Sequence, residues 1–454
     1  MKLIYQVEDK PKFGELIVFA IQQLLAIMAA TLVVPVIVGN GMEPAAALLG
    51  AGVGTLIYVF FTKKKSPVFL GSSFAFLGSM AAAFAGASSV AVGYFGLILG
   101  AVFAGLVYVI IALIVKMVGV DWIDKLMPAV VIGPTVAIIG LSLAGNAVGD
   151  IVTGGVKDAE GAAVADPLVA LICGLVTLGV TMACSVYGKK FGKLIPFIFG
   201  ILAGYAVAAI LTIIGSASGN DALMVLSTEP YKALVADGFT LSTIITLPTF
   251  TFMTAFGAFS EGMSSSYVLT IFAAYVPVAF VVFAEHIADH KNISSIIEKD
   301  LLKDPGLHRT LLGDGIGSMV GAFFGGCPNT TYGESIGCVA ITKNASVASI
   351  IAAAIGAILI AFLAPFVAFV NSIPSCVMGG VCMALYGFIA VSGLKMVQSV
   401  DLNKNKNLFV VSVILIAGIG GLTLNFGSVT ITSIACALIL GILTNIMLKN
   451  GPEE

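Results

Sequence analysis

The sequence predicts an all-α polytopic membrane protein with fourteen transmembrane spans arranged as two inverted repeats of seven. Three observations predict this class: the composition, the spacing of charged residues, and an odd number of spans on each side of one long loop. Of the 454 residues, 59% are hydrophobic and 10% are charged, whereas soluble proteins average about 45–50% and 25%. With a mean hydropathy of +1.09, the chain cannot cover itself with polar side chains, so its main partner is membrane lipid.

The same composition excludes several functional classes. The net charge of −2 leaves no basic face for nucleic acid. The seven cysteines lie in apolar stretches without a CxxC pair, which argues against a disulfide scaffold or a redox site. The sequence contains no phosphate loop, no metal-ligand motif and no nucleophile–base set. We therefore expect no enzyme activity, no ATP-driven transport in this chain, no cofactor and no metal.

Uncharged runs predict the spans, because a helix needs about 20 apolar residues to cross the hydrocarbon core. Seven runs suit one span each, and three suit two spans each, with turn signals at 86–89, 371–374 and 425–428. A short segment interrupted by polar residues, 328–343, supplies the fourteenth span. The single runs are 16–42, 44–62, 126–149, 167–188, 194–220, 262–284 and 315–333, and the double runs are 66–115, 344–394 and 407–448.

The basic residues predict the orientation, since cytoplasmic loops carry an excess of Lys and Arg. With the N-terminus inside, only Lys157 and Lys232 of the 22 basic residues fall in outer loops. We expect a bacterial-type inner (plasma) membrane protein with both termini cytoplasmic. The long outer segment at about 217–262 has seven spans on each side. Because seven is odd, the second half is inverted relative to the first. Such repeats place the substrate near the midplane, on interrupted helices at equivalent positions.

Two segments at equivalent positions read as interrupted helices. The third span opens with Gly71-Ser-Ser-Phe-Ala-Phe76, and the tenth opens with Pro328-Asn-Thr-Thr-Tyr-Gly-Glu334. Both are small and polar where lipid-facing sequence should be apolar. Irregular backbone at this depth persists only where protein or a cavity satisfies its polar groups. We therefore expect a shared site there, although local bending by Gly and Pro is the simpler alternative.

Carboxyl groups inside predicted spans are the strongest candidates for function, because an ionisable group in the membrane is costly. Glu285 ends the run 262–284, and Glu334 interrupts the tenth span. Asp289 lies one helical turn beyond Glu285 on the same face. We expect these groups to bind substrate or a proton. A structural ion pair is the alternative, and Asp289 could also sit in headgroup water.

Histidines and amides are weaker candidates. The three histidines are His286, His290 and His308, and their spacing does not match the His-Glu-x-x-His zinc motif. We expect them to serve as hydrogen-bonding or interfacial residues. Gln22 and Gln23 place two amides within the first span, where we expect support of the site rather than helix–helix contact.

These motifs together resemble the nucleobase–ascorbate transporter family over essentially the whole chain. Those that carry the resemblance are Ala29-Ala-Thr-Leu-Val-Val-Pro35, Gly71-Ser-Ser-Phe-Ala-Phe76, Glu285-His-Ile-Ala-Asp-His290, Lys299-Asp-Leu-Leu-Lys-Asp-Pro-Gly-Leu-His-Arg309, Pro328-Asn-Thr-Thr-Tyr-Gly-Glu334 and Gly337-x-x-x-x-Thr342-Lys343. Within the family the sequence is most similar to bacterial uracil permeases.

The resemblance implies a division of the chain into a core domain and a gate domain. The core would comprise 1–120 (spans 1–4) and 262–372 (spans 8–11). The gate would comprise 121–220 (spans 5–7) and 373–454 (spans 12–14), with an extracytoplasmic linker at 221–261. Spans 3 and 10 would each contain a short strand leading into a half-helix.

The resemblance also implies the site and the activity. The expected function is a proton-coupled uracil symporter, a nucleobase importer that works by alternating access. The expected substrate is uracil or a related nucleobase, and the coupled ion is a proton. Whether the protein forms a homodimer is left open by the sequence. The implied substrate residues are Glu285, Glu334, Phe74, Gly333, Tyr332, Ala30 and Tyr386, proton coupling falls to Glu285 and Asp289, and Gln22, Gln23, Ser73, Thr331 and Ser335 give support.

Three departures from the family pattern leave alternatives open. Uracil permeases often carry histidine at the positions of Asp289 and Gln23, and the family usually has asparagine at the position of Ser335. Glu334, where purine-transporting relatives commonly have glutamine, favours a pyrimidine. The alternatives are a xanthine- or urate-type purine symporter on the same fold, a channel, or an anion carrier of related architecture. Sodium remains the competing coupling ion.

Overall fold

The computed structural model describes residues 3–119, 128–189, 191–426 and 429–448, and most of them are helical. Within those ranges, eight helices are long and apolar enough to cross a membrane. These are Phe13–Val38, Pro44–Phe61, Val90–Val118, Ala129–Ile151 (Ala129–Ser142 continued by Ala144–Ile151), Pro167–Tyr187, Pro196–Ser218, Ser265–Ile297 and Ser375–Val397. The predicted domain boundary at 120–121 lies outside the described residues.

Further helices connect or complete these spans. The remaining α-helices are Leu77–Ala85, Phe191–Leu194, Glu229–Leu234, Thr251–Ala255, Ala258–Glu261, Leu307–Gly325, Gly333–Thr342, Val347–Ile360, Ala364–Ser372, Asn405–Ile419 and Ser433–Met447. Single turns of 3-10 helix lie at Phe74–Phe76, Asp221–Leu223 and Leu241–Thr243, and a π-helical turn lies at Leu302–Gly306. Five of these short elements fall within the predicted linker 221–261.

Turn signals in the sequence mark real helix boundaries. Leu77–Ala85 ends before the 86–89 segment, and the Ser89 hydroxyl oxygen accepts a hydrogen bond from the Val92 backbone N–H at 3.2 Å to cap the next helix. Ala364–Ser372 and Ser375–Val397 are separated within the 371–374 segment. Both turns are confirmed. The 425–428 signal overlaps two antiparallel strands, Leu424–Phe426 and Val429–Ile431, and residues 427–428 lie outside the described residues.

Two helices differ from the sequence expectation. The segment 344–371, predicted as one span, contains Val347–Ile360 and then Ala364–Ser372. Proline in the first turn of the second helix explains the break, because Pro365 cannot continue the preceding helix. The helix Ser265–Ile297, called the long helix below, continues well past the predicted end at 284. Glu285 therefore lies inside a helix and not at its end.

A small antiparallel pair of strands occupies the centre of the helix assembly. Leu70–Ser72 pairs with Asn329–Thr331, with Gly71 opposite Thr330, and all six residues are buried. Each strand runs into a helix: Phe74–Phe76 and Leu77–Ala85 after the first, Gly333–Thr342 after the second. The Ser73 backbone N–H donates to the Pro328 carbonyl at 2.9 Å. Backbone groups that interrupted helices leave open are thus satisfied by one another.

Glycines allow the close helix contact that carries the strands. Leu307–Gly325 packs tightly on Pro44–Phe61, and a Cβ added at Gly50 would lie 2.5 Å from the Gly321 carbonyl oxygen. At Gly54 it would lie 2.7 Å from the Gly317 carbonyl oxygen. Small residues at such positions let helix backbones approach each other. The contact fixes the second strand, since the Asn329 side-chain amide donates to the Gly50 carbonyl at 3.0 Å.

Candidate substrate site between two unlike walls

A cavity of about 370 Å³ opens beside the paired strands and has two chemically different walls. We call them the polar wall and the apolar wall. The polar wall comprises Ser73, Phe74, Ala75, Glu285, Ala288, Asp289, Thr330, Thr331, Tyr332, Gly333 and Glu334. The apolar wall comprises Val136, Ile139, Phe197, Leu385, Phe388, Ile389, Ser392 and Met396.

Three carboxyl groups dominate the polar wall. Glu285 and Asp289 lie one turn apart on the long helix, and Glu334 lies in the first turn of Gly333–Thr342. The Thr331 hydroxyl donates to Asp289 Oδ2 at 2.8 Å, which fixes that side chain against the second strand. Asp289 is therefore part of the cavity lining. Glu285 and Glu334 line the same cavity.

The charge balance of the cavity limits what it can bind. Among the cavity-lining residues that the structure describes, none is Lys or Arg. Three carboxyls without a cation repel one another and a bound anion. Carboxylates only accept hydrogen bonds. The polar wall therefore suits a neutral ligand with N–H donors, together with a proton that reduces the carboxyl charge.

Backbone donors come from the helix that begins at the cavity. The first N–H groups of Gly333–Thr342 have no partner inside the helix, and the helix dipole is positive at this end. Gly333 is exposed to the cavity. The polar wall thus offers N–H donors beside carboxylate acceptors, a combination that matches a flat ring carrying both carbonyls and N–H groups.

Tyr332 connects the two strand–helix units, which are residues 70–85 and 329–342. Its hydroxyl donates to the Ser72 carbonyl oxygen at 2.5 Å. Its ring covers Gly71, where an added Cβ would lie 2.3 Å from the ring. Any side chain at Gly71 would therefore displace Tyr332 from the cavity wall. A small residue in the first unit is thus required by an aromatic residue in the second.

Ser335 and Gln23 form a support behind Glu334. The Gln23 side-chain amide donates to the Ser335 hydroxyl oxygen, which also accepts from the Phe69 backbone N–H at 2.9 Å. Ser335 therefore joins the first helix and the residue before the first strand to the helix Gly333–Thr342. Gln22 points elsewhere, and its carbonyl oxygen has no hydrogen-bond partner within the described part of the chain.

Eight of the thirteen residues expected at the site line the cavity: Ser73, Phe74, Glu285, Asp289, Thr331, Tyr332, Gly333 and Glu334. Ala30 and Tyr386 are buried without lining it. The Tyr386 ring meets Phe74 edge-on at 6.0 Å between centroids, so it supports a lining residue. Gln22, Gln23 and Ser335 also lie outside the lining.

Sequence reasoning missed one buried carboxyl and all eight residues of the apolar wall. Asp314 is 1% exposed and hydrogen-bonded to His286. It borders the uncharged run that begins at 315, a position that in the sequence is typical of a span boundary. Its position among small residues (Gly313, Gly315, Gly317) was a usable signal for helix packing around it. Apolar lining residues such as Phe388 carry no such signal, because they look like any lipid-facing residue.

With this geometry described, comparisons with known proteins identify the family. The sequence profile of a family described as Permease family (Xan_ur_permease) matches residues 14–426. The chain belongs to the nucleobase–ascorbate transporter family. It is 38% identical to the uracil permease of Bacillus caldolyticus, covering 100% of this chain and 96% of that protein. It is 37% identical to the uracil permease of Escherichia coli strain K12, covering 98% and 93%.

The family assignment confirms the class expected from composition. The chain is a multi-pass membrane protein and a transporter, not an enzyme. Among solved structures, it resembles the transmembrane domain of the cyanobacterium bicarbonate transporter BicA, with a TM-score of 0.63 at 15% identity, covering 97% of this chain and 100% of that one. At this identity the likeness establishes the fold alone.

Proposed function

We propose that the protein is a proton-coupled uracil symporter that imports its nucleobase by alternating access. One observation carries the proposal: Glu285 and Glu334 face one cavity beside the free N–H groups of a helix start. The uracil permeases among its relatives support the same substrate class.

The hydrogen-bonding pattern of uracil complements the polar wall. Uracil is neutral and flat, with two N–H donors and two carbonyl acceptors. The carboxylates of Glu285 and Glu334 accept from the ring N–H groups. Backbone N–H groups near Gly333 and Phe74 donate to the carbonyls. Phe74 and Phe388 supply apolar surface for the ring faces.

The two walls fit the proposed domain division. All of the polar wall comes from the core segments 1–120 and 262–372, and all of the apolar wall comes from the gate segments 121–220 and 373–454. In this arrangement fourteen spans form two inverted repeats, and the strand–helix units at 70–85 and 329–342 are their equivalent centres. Movement of the gate past the core would then expose the polar wall to each side in turn.

The cavity opens towards the proposed cytoplasmic side. Its lining extends to Ser392 and Met396, near the end of Ser375–Val397 beside Lys395. Phe197 adds a residue from the start of Pro196–Ser218, close to the basic segment at 189–193. With both termini cytoplasmic, this conformation faces inward. Glu285 and Asp289 would then lie on the route of a proton released to the cytoplasm.

The rival functions require different chemistry or different flux. The three carboxyls of the cavity repel an anion, and the described cavity lining has neither Lys nor Arg to offset them. A channel would conduct without accumulation. A purine symporter is separated by specificity, since a cavity of about 370 Å³ has room for either ring system.

Gradient-driven uptake in proteoliposomes tests the coupling. Labelled uracil should accumulate under an imposed pH gradient, acidic outside, without sodium. A sodium gradient alone at equal pH on both sides should give no accumulation. The opposite result would overturn the proton assignment and leave Glu285 as a substrate ligand only. Equilibration without accumulation under either gradient would favour a channel.

A further inference from the structure

A buried group of polar side chains lies behind the polar wall, on another face of the long helix. His286 and His290 each follow a cavity carboxyl by one residue, so histidines and carboxyls project in different directions. The substrate site uses neither histidine. We call the following set the histidine network, each member at most 1% exposed: Tyr58, Ser66, His286, His290, Thr310 and Asp314.

The hydrogen bonds of His286 leave a defined place for one proton. Its Nδ1 lies 2.6 Å from Asp314 Oδ2, and its Nε2 lies 3.0 Å from the Thr310 hydroxyl oxygen. Thr310 also donates to the Leu307 carbonyl at 3.0 Å. A hydroxyl has one hydrogen, so both Thr310 bonds exist together only when His286 Nε2 carries a hydrogen. One further proton then lies between His286 and Asp314.

Removing that proton requires little rearrangement. His286 then donates from Nδ1 to the Asp314 carboxylate, and the Thr310 hydroxyl turns from Leu307 to His286 Nε2. The two end states differ by the rotation of one hydroxyl, and their heavy atoms occupy the same positions. The pair therefore accommodates both protonation states while every ring nitrogen keeps a partner.

His290 begins a second, directional chain. Its Nδ1 lies 2.7 Å from the His286 carbonyl oxygen, which only accepts, so Nδ1 carries the hydrogen. In the neutral ring Nε2 then accepts from the Tyr58 hydroxyl at 2.7 Å, and Tyr58 accepts from Ser66 at 2.7 Å. If Nε2 gains a proton, both hydroxyls rotate and the chain points towards Ser66. These three groups form a hydrogen-bonded path along which a proton can move.

The two rings cannot both hold an extra proton. They stack with centroids 4.0 Å apart and planes at 26°, and two imidazolium ions at that distance repel strongly. Asp314 supplies a counter-charge to His286 only, as a buried charge requires. The His286–Asp314 pair is therefore the resting position of the proton, and His290 is a transit position.

Other titratable groups surround the network at known positions. The Tyr108 ring meets His286 edge-on at 6.0 Å between centroids. Asp289 and Glu285 lie on the cavity side of the same helix. At the far end, Ser66 follows the basic segment 63–65, where Lys65 pairs with Asp304 at 2.6 Å on the surface. The path thus runs from behind the substrate carboxyls to a basic loop on the proposed cytoplasmic side.

We propose that the histidine network holds the transported proton and releases it through Tyr58 and Ser66. The proton leaves His286 Nε2 for His290 Nε2 when one ring turns within the stack, and the hydrogen shared with Asp314 stays on His286 Nδ1. His290 then protonates the Tyr58 oxygen as Tyr58 passes its own proton to Ser66. Because Ser66 is buried, it passes its proton to cytoplasmic water only when the adjacent segment 63–65 moves aside. This inference rests on the proposed function, because it assigns a route to the coupled proton.

Tyr58→Phe tests the route, with Tyr275→Phe as the matched control. Both tyrosines are fully buried, but the Tyr275 hydroxyl has no hydrogen-bond partner in the described residues. In proteoliposomes, Tyr58→Phe should slow pH-gradient-driven uracil uptake on the order of tenfold, because it removes a proton-transfer group. Uracil exchange at equal pH needs no net proton release and should match wild type. Tyr275→Phe should match wild type in both assays.

Equal uptake by Tyr58→Phe and wild type would overturn the route, and so would uptake and exchange slowed to the same extent. If Tyr58→Phe does not fold, Ser66→Ala interrupts the same path at its outer end, and the same comparison of uptake with exchange decides. Failure of the proposed function looks different: the wild-type protein would not bind uracil, or would accumulate it under sodium alone.

Discussion

The two walls of the cavity differ in the contacts that they can make with a ligand. The polar wall has three carboxyls, two threonines and an open helix start, whereas the apolar wall has one hydroxyl, on Ser392. A wall of directed acceptors and donors discriminates among rings, because a mismatch leaves buried polar groups unpaired. A wall of aliphatic and aromatic side chains accepts any flat face. We therefore expect the polar wall to select the ring and the apolar wall to cover its faces.

The largest expected effect comes from Glu285 on the polar wall. Glu285→Gln fixes this side chain in a neutral form, so it can no longer exchange a proton. Accumulation of uracil under a pH gradient should be lost, while some uracil exchange remains. Uptake and exchange assays in proteoliposomes measure the two separately. Full accumulation by the variant would remove Glu285 from the coupling.

Glu334→Gln should weaken binding rather than coupling. The amide offers a donor to a ring N–H, so a charge-assisted bond worth about 1.5–3 kcal/mol is lost. This corresponds to roughly a 10- to 150-fold increase in Kd, measurable by calorimetry on the purified protein. Glu261→Gln, at an exposed position, is the matched control and should leave Kd unchanged. Near-normal affinity in the Glu334 variant would take this residue out of the site.

Cysteine accessibility distinguishes a shared site from two separate ones. Cysteines placed at Ser73 and Thr331, in a background without the native cysteines, should both react with an aqueous thiol reagent and both be protected by uracil. A cysteine at Ser399, exposed after the helix Ser375–Val397, should react equally with and without uracil. Protection at one position only would mean that the two strand–helix units do not share the ligand.

The smallest effect should come from the hydroxyl of the apolar wall. Ser392→Ala removes the polar group of that wall but leaves every carboxyl in place. We expect Kd for uracil to change by less than about threefold, the low end for a neutral hydrogen bond. A change as large as that of Glu334→Gln would show that both walls recognise the ring.

Features that depend on local sequence were predictable. Charges inside apolar runs revealed Glu285 and Glu334, and Gly, Ser and Pro clusters marked the turns at 86–89 and 371–374. The polar segments 71–76 and 328–334 are where the structure has its paired strands. In each of these cases a charged, polar or helix-breaking residue stands where a lipid-facing helix should be apolar. This mismatch is visible in the sequence alone.

Features that depend on tertiary contact were not predictable. The burial of Asp314 could not be predicted, because a charged residue at the edge of an uncharged run resembles a loop residue. Phe388 and Val136 join the cavity only because their helices pack beside the strands. The long helix continues past 284 although charged residues follow. Glu285 and Asp289 line the cavity, and the later charged residues of the helix lie beyond the cavity. Periodicity and composition contain no information about these contacts.

The most direct test of the central claim is competition for transport in proteoliposomes containing the purified wild-type protein. Uptake of labelled uracil is measured under a pH gradient with excess unlabelled uracil, xanthine or urate. If the polar wall recognises a pyrimidine through Glu285 and Glu334, uracil alone should abolish the labelled uptake. Inhibition by xanthine or urate equal to that by uracil would contradict the account and assign the protein to purine transport.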